Sequence, residues 1–235
     1  MLSYIFLTYA VVHLSIWIWG WVAWSRAGRP VALTLVLISS TLLFYDNFRI
    51  GIGRFIGEGD LLKALSVPAF AWHWSMLPLL IIAAGSMARL AGLNWARNRF
   101  VMGGFCVLAV ALSAMDIPKI FSMELVPACI DDVLRYSTSV NEAQLCGPDS
   151  VVVQGAGAAF VAIATNIVVL IVGITIWVRR RWPWMALGAL AMFIAAGVFA
   201  RSYYSLPIAN FGEILITLGL ISTALHLSRH PPGQV

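Results

Sequence analysis

Residues 152–178 contain no charged side chain. As a helix rising about 1.5 Å per residue, a stretch of this kind exceeds the roughly 20 apolar residues that cross a hydrocarbon core. By the same ruler, further helices are expected near 4–24, 31–48, 69–90, 101–117, 184–201 and 207–227. Apolar residues run on continuously in these segments instead of alternating, so strands are not expected. The fold class that follows is all-α. The whole of 1–235 is expected to form a single polytopic domain, a bundle of seven transmembrane helices, with a lid-like outer segment at 49–67 and an outer loop at 118–151. Composition agrees, since only 11% of the 235 residues are charged, against about a quarter in soluble chains. The first apolar run has no basic region before it and no small-residue cleavage site after it. It is therefore expected to stay as a span, not to be removed as a signal peptide.

The charges orient such a bundle. One set of helix ends carries Arg26, Arg29, Arg89, Arg97, Arg99, Arg179, Arg180, Arg181 and Arg229 and no acid. The other carries Arg49, Arg54, Lys63, Lys119, Arg135 and Arg201 together with all ten acids of the chain. Basic residues concentrate on the cytoplasmic side of membrane proteins, which places the N-terminus outside and the C-terminus inside. The net charge of +5 is accounted for by this topology, and no nucleic-acid partner is implied. Cys129 and Cys146 fall in the outer loop, where an oxidising compartment would pair them. Cys106, within the fourth span, reads as a buried free thiol. In a bacterial cell the protein would lie in the inner (plasma) membrane, with its acidic side toward the periplasm.

Polar residues inside the spans are the next constraint. Asp46 and Asn47 come late in the second helix and His73 early in the third. Asp116 ends the fourth, Gln154 opens the fifth, Arg201 ends the sixth, and Asn210 and Glu213 open the seventh. Glu213 lies about 9 Å beyond Pro207 along the helix axis. Six helices thus deliver polar groups to the outer third of the membrane. Each charge there costs about 2.5–3.5 kcal/mol on insertion scales, so such groups face the bundle interior and pair. Three arrangements satisfy that requirement. One is a structural network that fixes helix packing. Another is a set of local ion pairs, Asp46 with Arg49 and Asp116 with Lys119, each at i,i+3. The last is a pocket, which also gives His73, Arg201 and Glu213 a reason to be there.

The segment GIGRFIGEG, residues 51–59, admits two readings. Its flexible amides beside Arg49 and Arg54 could cradle a phosphate, or it is a tight turn leading into an interfacial helix over RFIGEGDLLKALS. The clustered tryptophans at 17–24 and at 177, 182 and 184 read as an aromatic belt, and Trp72 and Trp74 flank His73.

Several seven-helix chemistries are excluded. Retinal needs a lysine in mid-helix, and the only lysines are Lys63 and Lys119. The His226–His230 spacing resembles the zinc pair of seven-helix membrane hydrolases, but no acid shares its end of the bundle. Carboxylates within a seven-helix bundle resemble the architecture of small integral-membrane terpene cyclases, a likeness of architecture alone that implies isoprenoid chemistry.

The expected function is an integral-membrane enzyme acting on a lipid or isoprenoid by general acid–base chemistry: cyclisation, isomerisation or hydrolysis. A carboxyl group in low dielectric favours its protonated form and can act as an acid at neutral pH. Glu213 is the expected acid. His73 relays or accepts the proton, Asp46 serves as base or stabilises a cation, and Asp116 is the fourth catalytic candidate. Arg201, Asn47, Arg49, Asn210, Tyr204, Gln154 and Trp72 are expected to bind the substrate, with Arg201 on its anionic headgroup. No cofactor or dedicated metal motif is evident, although Mg²⁺ could accompany a diphosphate. The partners implied are membrane lipids and an amphiphilic small molecule. The competing class is a non-catalytic lipid-binding, transport or accessory subunit of a membrane complex.

Overall fold

The computed structural model describes residues 1–153, 160–200 and 202–231. It is mostly helical. Five helical segments are long and apolar enough to cross a membrane: Leu2–Arg26, Val31–Ile56, Arg99–Phe121, Phe160–Arg180 and Ser205–Arg229. A bent pair, Asp60–Met76 with Leu79–Leu90, makes a sixth if the two halves count as one span, and Trp184–Val198 is a shorter apolar helix. Their outward faces carry exposed Phe100, Val107 and Val110 on one helix and Ile171 and Val178 on another. Apolar side chains turned outward on such helices are those of an integral membrane protein.

Local chemistry explains where the helices stop and bend. Helix α1 (Leu2–Arg26) ends where Gly28 and Arg29 both turn left-handed, just before Pro30. Helices α2 (Val31–Ser39) and α3 (Leu43–Ile56) are separated by a turn at Ser40–Leu42. There the hydroxyls of Ser40 and Thr41 donate to the carbonyls of Val36 and Leu37, each at 2.9 Å, a back-bonding that loosens a helix. Helices α4 (Asp60–Met76) and α5 (Leu79–Leu90) meet at Pro78 with a bend of 42°. Proline has no N–H to continue the ladder. Neighbouring hydroxyls cover carbonyls at the break, Ser39 donating to Met76 at 2.8 Å and Ser113 to Ser75 at 3.1 Å. The short α6 (Asn94–Arg97) leads into α7 (Arg99–Phe121), and α8 (Phe160–Arg180), α9 (Trp184–Phe193) and α10 (Ser205–Arg229) complete the bundle. A π-helical turn, Ile194–Val198, follows α9. Helix α10 is the most buried of the long helices. It approaches α9 so closely that a Cβ on Gly219 would stand 2.4 Å from the Trp184 carbonyl oxygen, the close packing that small residues permit between membrane helices.

Three expectations are corrected here. First, the outer loop contains strands: β1 (Val126–Ile130) and β2 (Val133–Ser137) pair antiparallel, with Val126 opposite Ser137 and Ile130 opposite Val133. Each has only five residues, too few to show alternation against the apolar background of the chain. Asp131 supplies the left-handed turn residue at φ 50°, and the expected Cys129–Cys146 disulfide is present. Second, the helix expected to end near 48 runs on to Ile56. Gly51 and Gly53 are helical residues placed for close packing, against Leu7 and the Leu134 carbonyl respectively. Only Gly57 and Gly59, at φ 82° and 155°, break the chain before α4 begins at Asp60. The segment 49–67 therefore holds the end of α3, the turn at Gly57–Gly59 and the start of α4, with no run of free amides at 51–53. Third, Cys106 is exposed on α7, because an apolar sequence does not distinguish a lipid-facing side from a core-facing one.

The hairpin is docked, not loose. Ile130 and Val133 pack with Leu2, Phe6 and Ile50, while Leu134 and Tyr136 pack with Leu62 and Leu125. Asp132 at the turn accepts from Arg54, the Met1 amino group and Ser3. Partial desolvation opposes the charge on its carboxyl, but those donors outweigh it and hold the group below the usual carboxylate range.

Candidate functional site

The polar residues expected to form one cluster fall into two arrangements. The first is a closed network between α3, α4 and α10. Arg49 is 3% exposed and bonds both ways to Asp46 Oδ1, from Nε at 2.9 Å and from Nη2 at 2.7 Å. Its Nη1 reaches Ser66 Oγ at 3.2 Å, and its guanidinium lies 5.2 Å from the Phe70 ring centre. Asn47 and Asn210 are both buried, and Asn210 Nδ2 donates to Asn47 Oδ1 at 3.0 Å. His13 is buried on α1 beside the Asn210 backbone, and its Nε2 has no partner among the described residues. Asp116 is paired separately, with Lys119 Nζ at 2.6 Å. Both i,i+3 ion pairs expected from the sequence are thus formed.

The second arrangement is a cavity of about 360 Å³ between α2, the α4–α5 bend, α8, α9 and α10. That volume lies in the range of small-molecule sites, roughly 300–1,000 Å³. Most of the wall is apolar, for instance Val36, Leu80, Val169, Ile216 and Leu220. Its polar groups are Ser39, Ser40, His73, Thr165, Asn166, Glu213 and Thr217. Of these, Thr165 Oγ1, Asn166 Oδ1 and Glu213 Oε2 are buried with no hydrogen-bond partner among the described residues. The Asn166 amide nitrogen is already used, donating to the Ala189 carbonyl at 3.1 Å. His73 is exposed and lines the cavity. The wall includes Ile163 of α8 and Phe193 of α9, both of them exposed.

Of the residues expected at the site, the structure thus brings Glu213 and His73 to the cavity. Asp46 does not line it, although its carboxylate is part of the electrostatic surroundings of both. Asn47, Arg49, Asn210 and Asp116 belong to the networks described above. Trp72 donates from Nε1 to the Ile38 carbonyl at 3.1 Å, tying α4 to α2, and Tyr204 is exposed at the start of α10. Gln154 and Arg201 lie outside the described residues. Sequence reasoning missed Thr165, Asn166 and Thr217, which are small polar residues in otherwise apolar runs. Helical spacing is the signal that finds the first two, since the cavity takes 162, 163, 165, 166 and 169 of α8, one face of a 3.6-residue helix. Among the described residues no three His, Cys, Asp or Glu side chains converge as a metal group. Compared with family models, curated proteins and solved structures, the chain matches none of them.

Proposed function

We propose that the chain is a membrane-embedded enzyme that carries out acid–base chemistry on a lipid or isoprenoid held in the cavity between α2, α8 and α10. The observation that carries this reading is the set of three oxygens, on Thr165, Asn166 and Glu213, that have no partner among the described residues and stand in the wall of one apolar cavity. A buried polar atom without a partner costs free energy that an apolar wall would not. A ligand with an apolar body and a polar reacting end would supply both the filling and the missing bonds. In this reading Glu213 gives a proton to the bound amphiphile and His73 takes one from it. A cyclisation or an isomerisation then closes with no net change in protons. Hydrolysis would need a water beside the same pair, and Mg²⁺ would arrive only with a diphosphate-bearing substrate.

The proposal extends to topology: seven spans, with the α4–α5 pair and Trp184–Val198 each crossing once, the N-terminus outside and the C-terminus cytoplasmic. The confinement of all ten acids to one set of helix ends, with nine of the fifteen basic residues at the other, supports it. In a bacterium the hairpin would then face the periplasm. A reporter active only in the cytoplasm should work when fused after Val235 and stay silent when inserted at 125–150. The reverse pattern would overturn the orientation.

A second reading, a non-catalytic lipid-binding, transport or accessory subunit, is favoured by one observation. Asp46 and Asp116 are committed to Arg49 and Lys119 and do not line the cavity. Glu213→Gln separates the two readings, because the amide keeps the shape of the carboxyl. The enzyme reading expects a near-normal melting temperature and a loss of turnover of about 10²–10⁴-fold, the usual contribution of a general acid, against a panel of isoprenoid and phospholipid substrates. Unchanged turnover, or a collapse in melting temperature, would remove Glu213 from the chemistry.

A further inference from the structure

Arg135 is buried and has no ion-pair partner among the described residues. It follows Val133 by two residues on β2, so both side chains leave the same face of the strand. Val133 packs against Phe6 of α1 and Ile50 of α3, so that face is turned to the bundle. Arg135 is 8% exposed, and its Nε has no hydrogen-bond partner among the described residues. Arg49 and Asp46 are the charged groups that bear on it. Neither neutralises it: Arg49 has the same sign, and Asp46 Oδ1 already receives two bonds from Arg49. Asp132, the acid at the hairpin turn, is engaged by Arg54 and the Met1 amino group. Arg49 thus holds the Asp46 carboxylate, and Arg135 forms no ion pair with an acid among the described residues.

We propose that Arg135, together with Arg49, forms an oxyanion-binding site at the foot of the hairpin that takes a phosphate group. The planar fork of a guanidinium matches the paired oxygens of a phosphate. Burial, and next the like charge of Arg49, push the Arg135 guanidinium down to about 10. It therefore remains cationic at neutral pH. The phosphate can belong to a lipid headgroup or to a free phosphate or diphosphate, and the same contacts would hold either. The site lies outside the cavity and involves neither Glu213 nor His73. Its failure would leave the proposed chemistry standing, and the reverse is also true.

The test is the melting temperature of the full chain reconstituted in nanodiscs of phosphatidylcholine alone. One arm replaces part of the lipid by phosphatidylglycerol. The other adds inorganic phosphate or pyrophosphate, with sodium chloride at matched ionic strength as control. The expected result is a dose-dependent rise in one arm at least, since a ligand that binds only the folded state stabilises it by mass action. A rise in the lipid arm alone identifies a headgroup, and a rise in the soluble arm alone identifies a free anion. Arg135→Gln should abolish the rise without lowering the melting temperature in phosphatidylcholine alone, because it removes an unpaired charge. Arg135→Lys, which keeps the charge and loses the fork, should reduce the rise and serves if the Gln variant does not fold. No rise in either arm, or an equal rise in the variant measured, would overturn the proposal.

Discussion

Gly53→Ala should destabilise this protein although the same change in a helix normally stabilises it. Gly53 is an interior residue of α3, where replacing glycine by alanine is worth about 1 kcal/mol in helix propensity. Against that gain stands a collision. The new Cβ would lie 1.9 Å from the carbonyl oxygen of Leu134 and 3.3 Å from a methyl of Leu62. A backbone carbonyl cannot swing away as a side chain can, and this one belongs to a hairpin tied by Cys129–Cys146. Overpacking costs about 1–3 kcal/mol, and such an obstacle puts the cost near the top, about 3. The net is a loss of about 2 kcal/mol, or about 4–8 °C in melting temperature for a chain of this size. Gly104→Ala is the internal control, since that glycine is also helical, on α7, and its Cβ would meet nothing within 4 Å. Thermal unfolding of both variants in one detergent should give shifts of opposite sign. If Gly53→Ala stabilises as much as Gly104→Ala, the hairpin does not seat on α3 as described.

Three further outcomes follow from the same contacts. Cys129 and Cys146 close a loop of sequence separation 17, so the Cys129→Ser/Cys146→Ser pair should lose about 3 kcal/mol by chain entropy, read as a lowered melting temperature. Mass mapping without reductant that found both as free thiols would refute the staple. A double-mutant cycle on Asn47→Ala and Asn210→Ala should give a coupling of about 0.6 kcal/mol and at most about 1.7, the span measured for hydrogen bonds between membrane helices. Zero coupling would mean that the 3.0 Å contact contributes nothing. Asp132 has a folded-state pKa below its ordinary value, so its contribution is fully present above about pH 4 and is lost as pH falls through the folded value. Hydrogen-exchange protection across the hairpin should hold at neutral pH and drop in strong acid, and Asp132→Asn should remove that pH dependence.

The helices were legible because a bilayer demands long uncharged runs, and no other constraint writes so plainly into a sequence. Which polar residues fall within the helices was legible too, Glu213 and His73 among them, and both line the cavity. Azimuth was not. Asp46 and Glu213 both lie within helices, yet one turns to Arg49 and the other to the cavity. Apolar residues point both to lipid and to core, so they give no reference direction, and Cys106 was misplaced for that reason. The glycines of 51–59 were read through backbone freedom, whereas two of the four act through the absence of a Cβ. The hairpin escaped notice because five-residue strands between helices of more than twenty leave almost no periodic signal. Arg135 was counted only as an outer charge, since nothing in one sequence tells a docked strand from a solvated loop.

The central claim is that the cavity between α2, α8 and α10 holds an amphiphile whose polar end meets Glu213. Its most direct test is an experimental structure of the wild-type protein in a lipid nanodisc. The account predicts elongated density within the cavity, in hydrogen-bond reach of Glu213 Oε2 and at least one of Thr165 Oγ1 and Asn166 Oδ1. A cavity collapsed by repacking of α8 and α9, or one holding only discrete waters with Glu213 engaged by a basic side chain, would contradict it.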